Sequence, residues 1–183
     1  IAITDHGNMF GTLYFAECAK KAGVKAIIGC ELYATDDYLD KRPGTKTEHI
    51  IVLAKNKTGY KNIVKLDSLS YIDGFYGKPR IDYKLLKQYH EGVICLSACL
   101  AGRMPQLLMH GDYDGAKEWA REMKEVFGED FYIEIQDHDI PEEKQVIPQL
   151  IQIARELDIL LLGDDVAETL GADTRRIKLL IIL

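Results

Sequence analysis

The sequence predicts an α/β fold in which short apolar strands alternate with amphipathic helices around a mostly parallel sheet or barrel. Three observations carry that expectation. Short apolar runs such as Ile50-Ile51-Val52-Leu53-Ala54, Val93-Ile94-Cys95-Leu96 and Ile159-Leu160-Leu161-Leu162 recur, with helix-period stretches between most of them. Polar residues with no evident structural duty gather after the strands, where parallel α/β folds build their sites: Asp5, His6, Glu31, Cys99, Asp137, His138, Asp164 and Asp165, whereas His49 starts its strand. The composition is globular, with 47% hydrophobic and 28% charged residues over 183 positions, enough for one domain with a substantial core.

Charge and cysteine usage narrow the class. A formal net charge of −6 argues against a free-standing nucleic-acid clamp, which would be basic, yet leaves room for a local phosphate site. Cys18, Cys30, Cys95 and Cys99 are scattered without a CxxC pair, which fits reduced thiols and a cytoplasmic location. No basic-then-apolar leader and no membrane-length apolar run is visible, so no membrane association is expected. Ile1 lies inside what reads as a strand, from which a missing preceding strand is expected.

Taken in order, Ile1-Ala2-Ile3 is a strand end running into the polar turn Thr4-Asp5-His6-Gly7-Asn8. Residues 9–22 carry a broad apolar face (Met9, Leu13, Phe15, Ala16, Cys18, Ala19) and predict a helix stopped at Gly23. Residues 24–36 are β-like and 37–47 a polar loop, after which His49 opens the next strand. A helix is expected from Thr58 to about Tyr71, a loop over 73–82, a short helix over 83–89 and a strand over 92–97. Ala116, Trp119, Ala120, Met123, Val126 and Phe127 form a core-facing stripe on a helix over 114–127. Phe131 to Gln136 alternates like a strand, and Pro141 suits the first turn of a helix reaching Leu157. Pro148 should kink or split that helix, because an interior proline costs about 3 kcal/mol. Ile159–Leu162 is the last clear strand, and Asp173 to Leu183 reads as a helix cut short.

Each polar residue has a plain and a chemical reading. Asp5 is a fair helix cap and His6 a fair turn residue, but Asp and His at a strand end also suit a metal and its supporting shell. Glu31 in an apolar strand is costly unless it points outward, is paired or binds a metal. His49 fits a strand edge, and Cys99 fits the core as well as a ligand position. Lys78 and Arg80, set among Phe75, Tyr76 and Pro79, read as a phosphate or nucleotide site or as a snorkelling surface loop.

Together Thr4-Asp5-His6-Gly7-Asn8, Ile28-Gly29-Cys30-Glu31, His49 to Asn56, Gly59-Tyr60-Lys61-Asn62, Gly74 to Asp82, Leu96 to Gly102 and Gln136-Asp137-His138 resemble the polymerase and histidinol phosphatase (PHP) family. The branch they resemble is that of the PHP domains carried by bacterial DNA polymerase III alpha subunits. The likeness runs in order through nearly the whole chain, residues 1–183, which is expected to be a single PHP domain region of a longer chain.

The resemblance implies a distorted (β/α)7 TIM-like barrel, here lacking its first strand, with a metal cluster at the carboxyl ends of the strands. Carried over, His6, Glu31, His49, Cys99 and Asp165 match metal-ligand positions, and His6 and Asp165 are the catalytic candidates. Asp5, His138 and Asp164 would be neighbours. Zinc or manganese is implied, with fewer than three ions expected: the family's His-x-His strand does not appear in the sequence, and Ala167 stands where its last motif has histidine. The implied function is a structural or degenerate metal-binding module of the replicase, or alternatively a metal-dependent phosphoesterase with 3′–5′ proofreading activity. The implied partners are the rest of the alpha chain, other replicase subunits including a proofreading exonuclease, and DNA through the whole enzyme. Magnesium would serve the polymerase domain, since the palm acids of nucleotidyl transfer have no place in these residues. An unrelated α/β binding module is the competing class, disfavoured by the motif string.

Overall fold

A computed structural model describes residues 1–162. The expectations for Asp164, Asp165, Ala167 and a helix from Asp173 lie outside them. Within the described residues the chain forms two compact units, 1–95 and 96–162.

The first unit is built on one long strand. β1 (Ala2–Ile3) leads through the His6 turn to α1 (Thr12–Ala22), followed by β2 (Ile27–Thr35), β3 (Glu48–Ala54), α2 (Lys57–Ile72), β4 (Arg80–Asp82), α3 (Tyr83–Gln88) and β5 (Val93–Leu96). β2 is the axis. On one edge it pairs in parallel with β1 at Ile27 and Ile28 and, further along, with β4 at Tyr33 to Thr35. On the other it pairs with β3, and β3 neighbours β5. The β2–β3 pair is antiparallel, a local departure from the parallel sheet expected. Ile50, Val52, Ile63, Leu66, Ile81, Leu86, Val93 and Cys95 are all buried in this unit.

Local chemistry sets the boundaries. α1 begins at Thr12 rather than Met9, because Asn8 holds the preceding turn: its side chain donates to the His6 carbonyl and accepts from the Phe10 amide, both at 3.0 Å. Asp5 therefore caps nothing in α1. Of that helix's expected apolar face only Ala19 is buried, and Leu13 is exposed. Gly23 ends it as expected, with the Val24 amide donating to the Ala19 carbonyl at 3.0 Å. Asn56 caps α2 by accepting from the Gly59 amide, and Asp82 caps α3 by accepting from Leu85.

The second unit contains α4 (Arg103–Met109), α5 (Tyr113–Phe127), a 3₁₀ turn at Gly128–Asp130, β6 (Phe131–Glu134), α6 (Pro141–Glu156) and β7 (Leu160–Leu162). β6 and β7 are parallel, with Ile133 opposite Leu161. The α5 stripe packs inward as predicted, and Trp119 meets Phe131 edge-on at 5.9 Å. α6 runs through Pro148 as one helix, contrary to the expected break. Pro148 is exposed and leaves the Lys144 carbonyl without its helical donor, while buried Val146, Leu150, Ile151 and Ile153 hold both halves. Two short elements were not legible in the sequence. α4 lies in a stretch with no clear sequence pattern, and β4 lies in the expected loop, where parallel pairing with β2 makes three residues a strand.

Candidate metal centre

Backbone pairing brings His6, Glu31 and His49 together. Beyond β1, His6 continues the parallel pairing with β2: the Gly7 amide donates to the Glu31 carbonyl at 2.8 Å and the Glu31 amide to the Asp5 carbonyl at 3.1 Å. From the other side, Tyr33 lies opposite His49 and Glu31 opposite Ile51, so Glu31 and His49 are diagonal neighbours on one face of the ladder. Because this pair is antiparallel, the first residues of β3 lie beside the carboxyl half of β2. A histidine at the start of β3 thereby reaches Glu31 in the middle of β2 and His6 just beyond the end of β1.

The side chains converge on one oxygen. Glu31 Oε1 is 3.1 Å from His6 Nδ1 and also in contact with His49 Nδ1. The ligand atoms of all three residues lie within 4.8 Å of one another. Glu31 is buried, His49 is 18% exposed at its side chain and His6 is 65% exposed, so the cluster is closed on the strand side and open on the turn side. Tyr33 forms one wall, its ring edge-on to His49 at 5.2 Å. Gly7 has φ +63°, and a Cβ there would stand 2.8 Å from the Tyr33 ring and 2.9 Å from Pro79. The tight approach beside His6 thus requires glycine twice over, for conformation and for space.

The donor set fits a metal ion. Buried Glu31 Oε1 meets no hydrogen-bond donor in acceptable geometry although two imidazole nitrogens face it. A carboxylate left so is costly, and an ion between the three groups would satisfy it. Two imidazoles and a carboxylate suit zinc or manganese. Behind the centre, the Cys30 thiol is fully buried, with Sγ 3.4 Å from the Asp5 and Asn8 carbonyls. Burial, reinforced by Asp67, pushes this thiol up to about 12, and its sulfur is not among the converging ligand atoms.

The other expected residues sit as follows. Asp5 supports through its backbone carbonyl, and its carboxylate is not one of the converging ligand atoms among the described residues. Cys99 lies in the second unit, after Ala98 at φ +64°, in a small cleft with Glu134, Gln136 and Glu143. His138, in the same unit, turns to buried Glu143, which accepts from its amide at 2.6 Å and contacts its Nδ1 at 2.9 Å. Lys78 is exposed, its ammonium 4.4 Å from the centre of the Tyr33 ring. Arg80 is 1% exposed and holds a loop: Nε donates to the Gly74 carbonyl at 3.0 Å and Nη2 to the Tyr38 carbonyl at 3.3 Å. A phosphate would have to compete with those buried bonds. The sequence offered no sign of this, because only the β2–β4 pairing shows that residue 80 faces inward.

The chain is 51% identical over 172 residues to DNA polymerase III subunit alpha of Treponema pallidum, covering 91% of this chain and 15% of that protein. It is 47% identical over 165 residues to the subunit of that name in Borreliella burgdorferi, covering 88% and 14%. With the Aquifex aeolicus subunit it shares 39% identity over 184 residues, covering 96% and 16%. The chain thus spans about a seventh of the length of these relatives. The PHP domain family matches residues 1–138, a span that holds the whole first unit and the His6–Glu31–His49 cluster, and the chain belongs to that family.

Proposed function

We propose that this chain is the PHP domain region of a bacterial replicative DNA polymerase III alpha subunit, serving there as a structural, metal-binding module. The observation that carries the reading is the His6–Glu31–His49 cluster inside a PHP match whose full-length relatives are alpha subunits. On this reading residues 1–183 form one domain with the distorted (β/α)7 barrel of the family. The cluster supplies three protein donors, a set suited to one ion and not to three. Zinc or manganese is the proposed ion, and magnesium would serve the polymerase domain of the whole chain. Cys99 and Asp165 are proposed as further ligand positions, with His138 and Asp164 beside them. The proposed partners are the remaining alpha chain, other replicase subunits and, through the whole enzyme, DNA. The proposed location is the cytoplasm; among the described residues no helix is long and apolar enough to cross a membrane.

A bound ion would supply Lewis acidity toward a phosphate oxygen and lower the pKa of water. The chain's own residues do the rest. Glu31 and His49 are fixed by paired strands, His6 is held by the Asn8 turn, and Tyr33 screens one side. The open side at His6 supports a second reading, a metal-dependent phosphoesterase with 3′–5′ exonuclease activity in which His6 borders the reacting group.

Elemental analysis and calorimetric titration with zinc and manganese test the proposal. The expected result is fewer than three ions per chain, binding lost in Glu31→Gln and His49→Ala, and little digestion of DNA. Three tightly held ions together with DNA digestion abolished by His6→Ala would replace the first reading with the second. No binding of either metal would end the second reading and leave the first a structural role alone.

A further inference from the structure

The metal centre leaves a row of exposed rings unexplained. Phe10 is 80% exposed, the highest value for a large apolar side chain among the described residues. Its turn is nevertheless fixed, by both hydrogen bonds of Asn8. Its ring lies 6.2 Å from that of Tyr71 at the end of α2, and Tyr71 stacks on Phe75 at 6.1 Å with 22° between planes. Phe75 comes from a loop pinned at its base, where the Arg80 guanidinium bonds the Gly74 carbonyl and a Cβ on Gly74 would stand 2.0 Å from the Arg80 carbonyl. Three rings, Phe10, Tyr71 at 39% and Phe75 at 48% exposed, thus stand in a row at the surface. Folding alone favours burying such rings, and a contiguous exposed apolar patch marks a binding surface.

The row is linked to the metal centre along the chain. The segment from His6 to Phe10 joins one to the other, and Lys78 stands over Tyr33, whose ring meets His49. We propose that Phe10, Tyr71 and Phe75 form a stacking ledge for the bases of unpaired nucleotides, with the strand's phosphates passing Lys78 toward His6, Glu31 and His49. This inference rests on reading that cluster as a metal site. Ring faces accept any base, at about 1–3 kcal/mol each, whereas bases inside a duplex already have their faces covered. The chain's net charge of −6 offers phosphates little general attraction, so binding led by stacking, with a shallow salt dependence, is the mode that suits this surface. A protein segment docking here would need the apolar area of the rings but not their π faces.

The test is fluorescence anisotropy of a labelled oligothymidylate with the full chain, in manganese and in chelator, against a duplex competitor. Phe10→Leu and Phe75→Leu keep apolar bulk and remove the ring; each should weaken binding roughly ten-fold, while Phe10→Trp holds or tightens it. Unchanged circular dichroism and melting would certify the fold of each variant. Leucine variants that bind like the parent, a duplex that competes equally, or no oligothymidylate binding at all would each overturn the ledge. Metal titration of the same samples separates the two ideas. Intact metal binding with ring-independent strand binding removes the ledge alone. Ring-dependent strand binding without any metal binding keeps the ledge and removes the metal reading.

Discussion

Asp67 on α2 offers a sharp energetic test. It lies close enough to the Cys30 thiol and the Tyr71 hydroxyl to raise both, one Oδ is buried without a hydrogen-bond partner, and burial pushes its carboxyl up to about 6. Against an ordinary value of 3.8, a rise to about 6 corresponds to roughly 3 kcal/mol. The side chain is only half-buried, so solvent screening reduces this to about 1 kcal/mol. The sign follows from linkage. The folded state holds this proton more tightly than the unfolded state, so the penalty is absent below the unfolded pKa, grows through the window from about 4 to about 6, and is full above it. Asp67→Asn removes the titrating charge at nearly constant shape. Urea unfolding should therefore show the variant about 1 kcal/mol more stable than the parent at neutral pH, with the difference vanishing below about pH 4. A difference that does not change with pH, or a variant less stable at neutral pH, would refute the assignment.

Further outcomes follow from packing. Gly59→Ala should cost about 3 kcal/mol or prevent folding, because its Cβ would stand 1.7 Å from the Gly92 carbonyl oxygen, against backbone that cannot yield; chemical denaturation reads this directly. Pro148→Ala should raise stability by about 1–3 kcal/mol by returning the Lys144 carbonyl its helical donor, seen as a higher melting temperature. Lys124→Met should cost about 1 kcal/mol, since its ammonium donates to the Leu157 and Asp158 carbonyls at the end of α6, and the loss should appear as faster amide exchange in the last turn of that helix.

Much of the element pattern was legible in the residues because burial has a period. The runs at 50–54 and 93–96 are strands, and the stripe from Ala116 to Phe127 faces inward. Where periodicity misled, a local bond or a neighbour decided. Leu13 lies on a helical apolar face yet is exposed, and Arg80 is charged yet buried. Of the expected ligands, His6, Glu31 and His49 are brought together, whereas Cys99 belongs to the second unit, as does His138, expected as a neighbour.

The sequence by itself determined the α/β class, the stop at Gly23, the PHP motif string and the residue types fit for a metal. These depend on near neighbours along the chain: side-chain period, turn chemistry and donor identity. Tertiary structure alone decided that β3 runs against β2, which carries His49 at the start of one strand to Glu31 in the middle of the other. It alone turned Arg80 inward and set Phe10, Tyr71 and Phe75 in a row. Strand direction and register are fixed by which distant segments bury each other's faces, and no local run of residues encodes that choice.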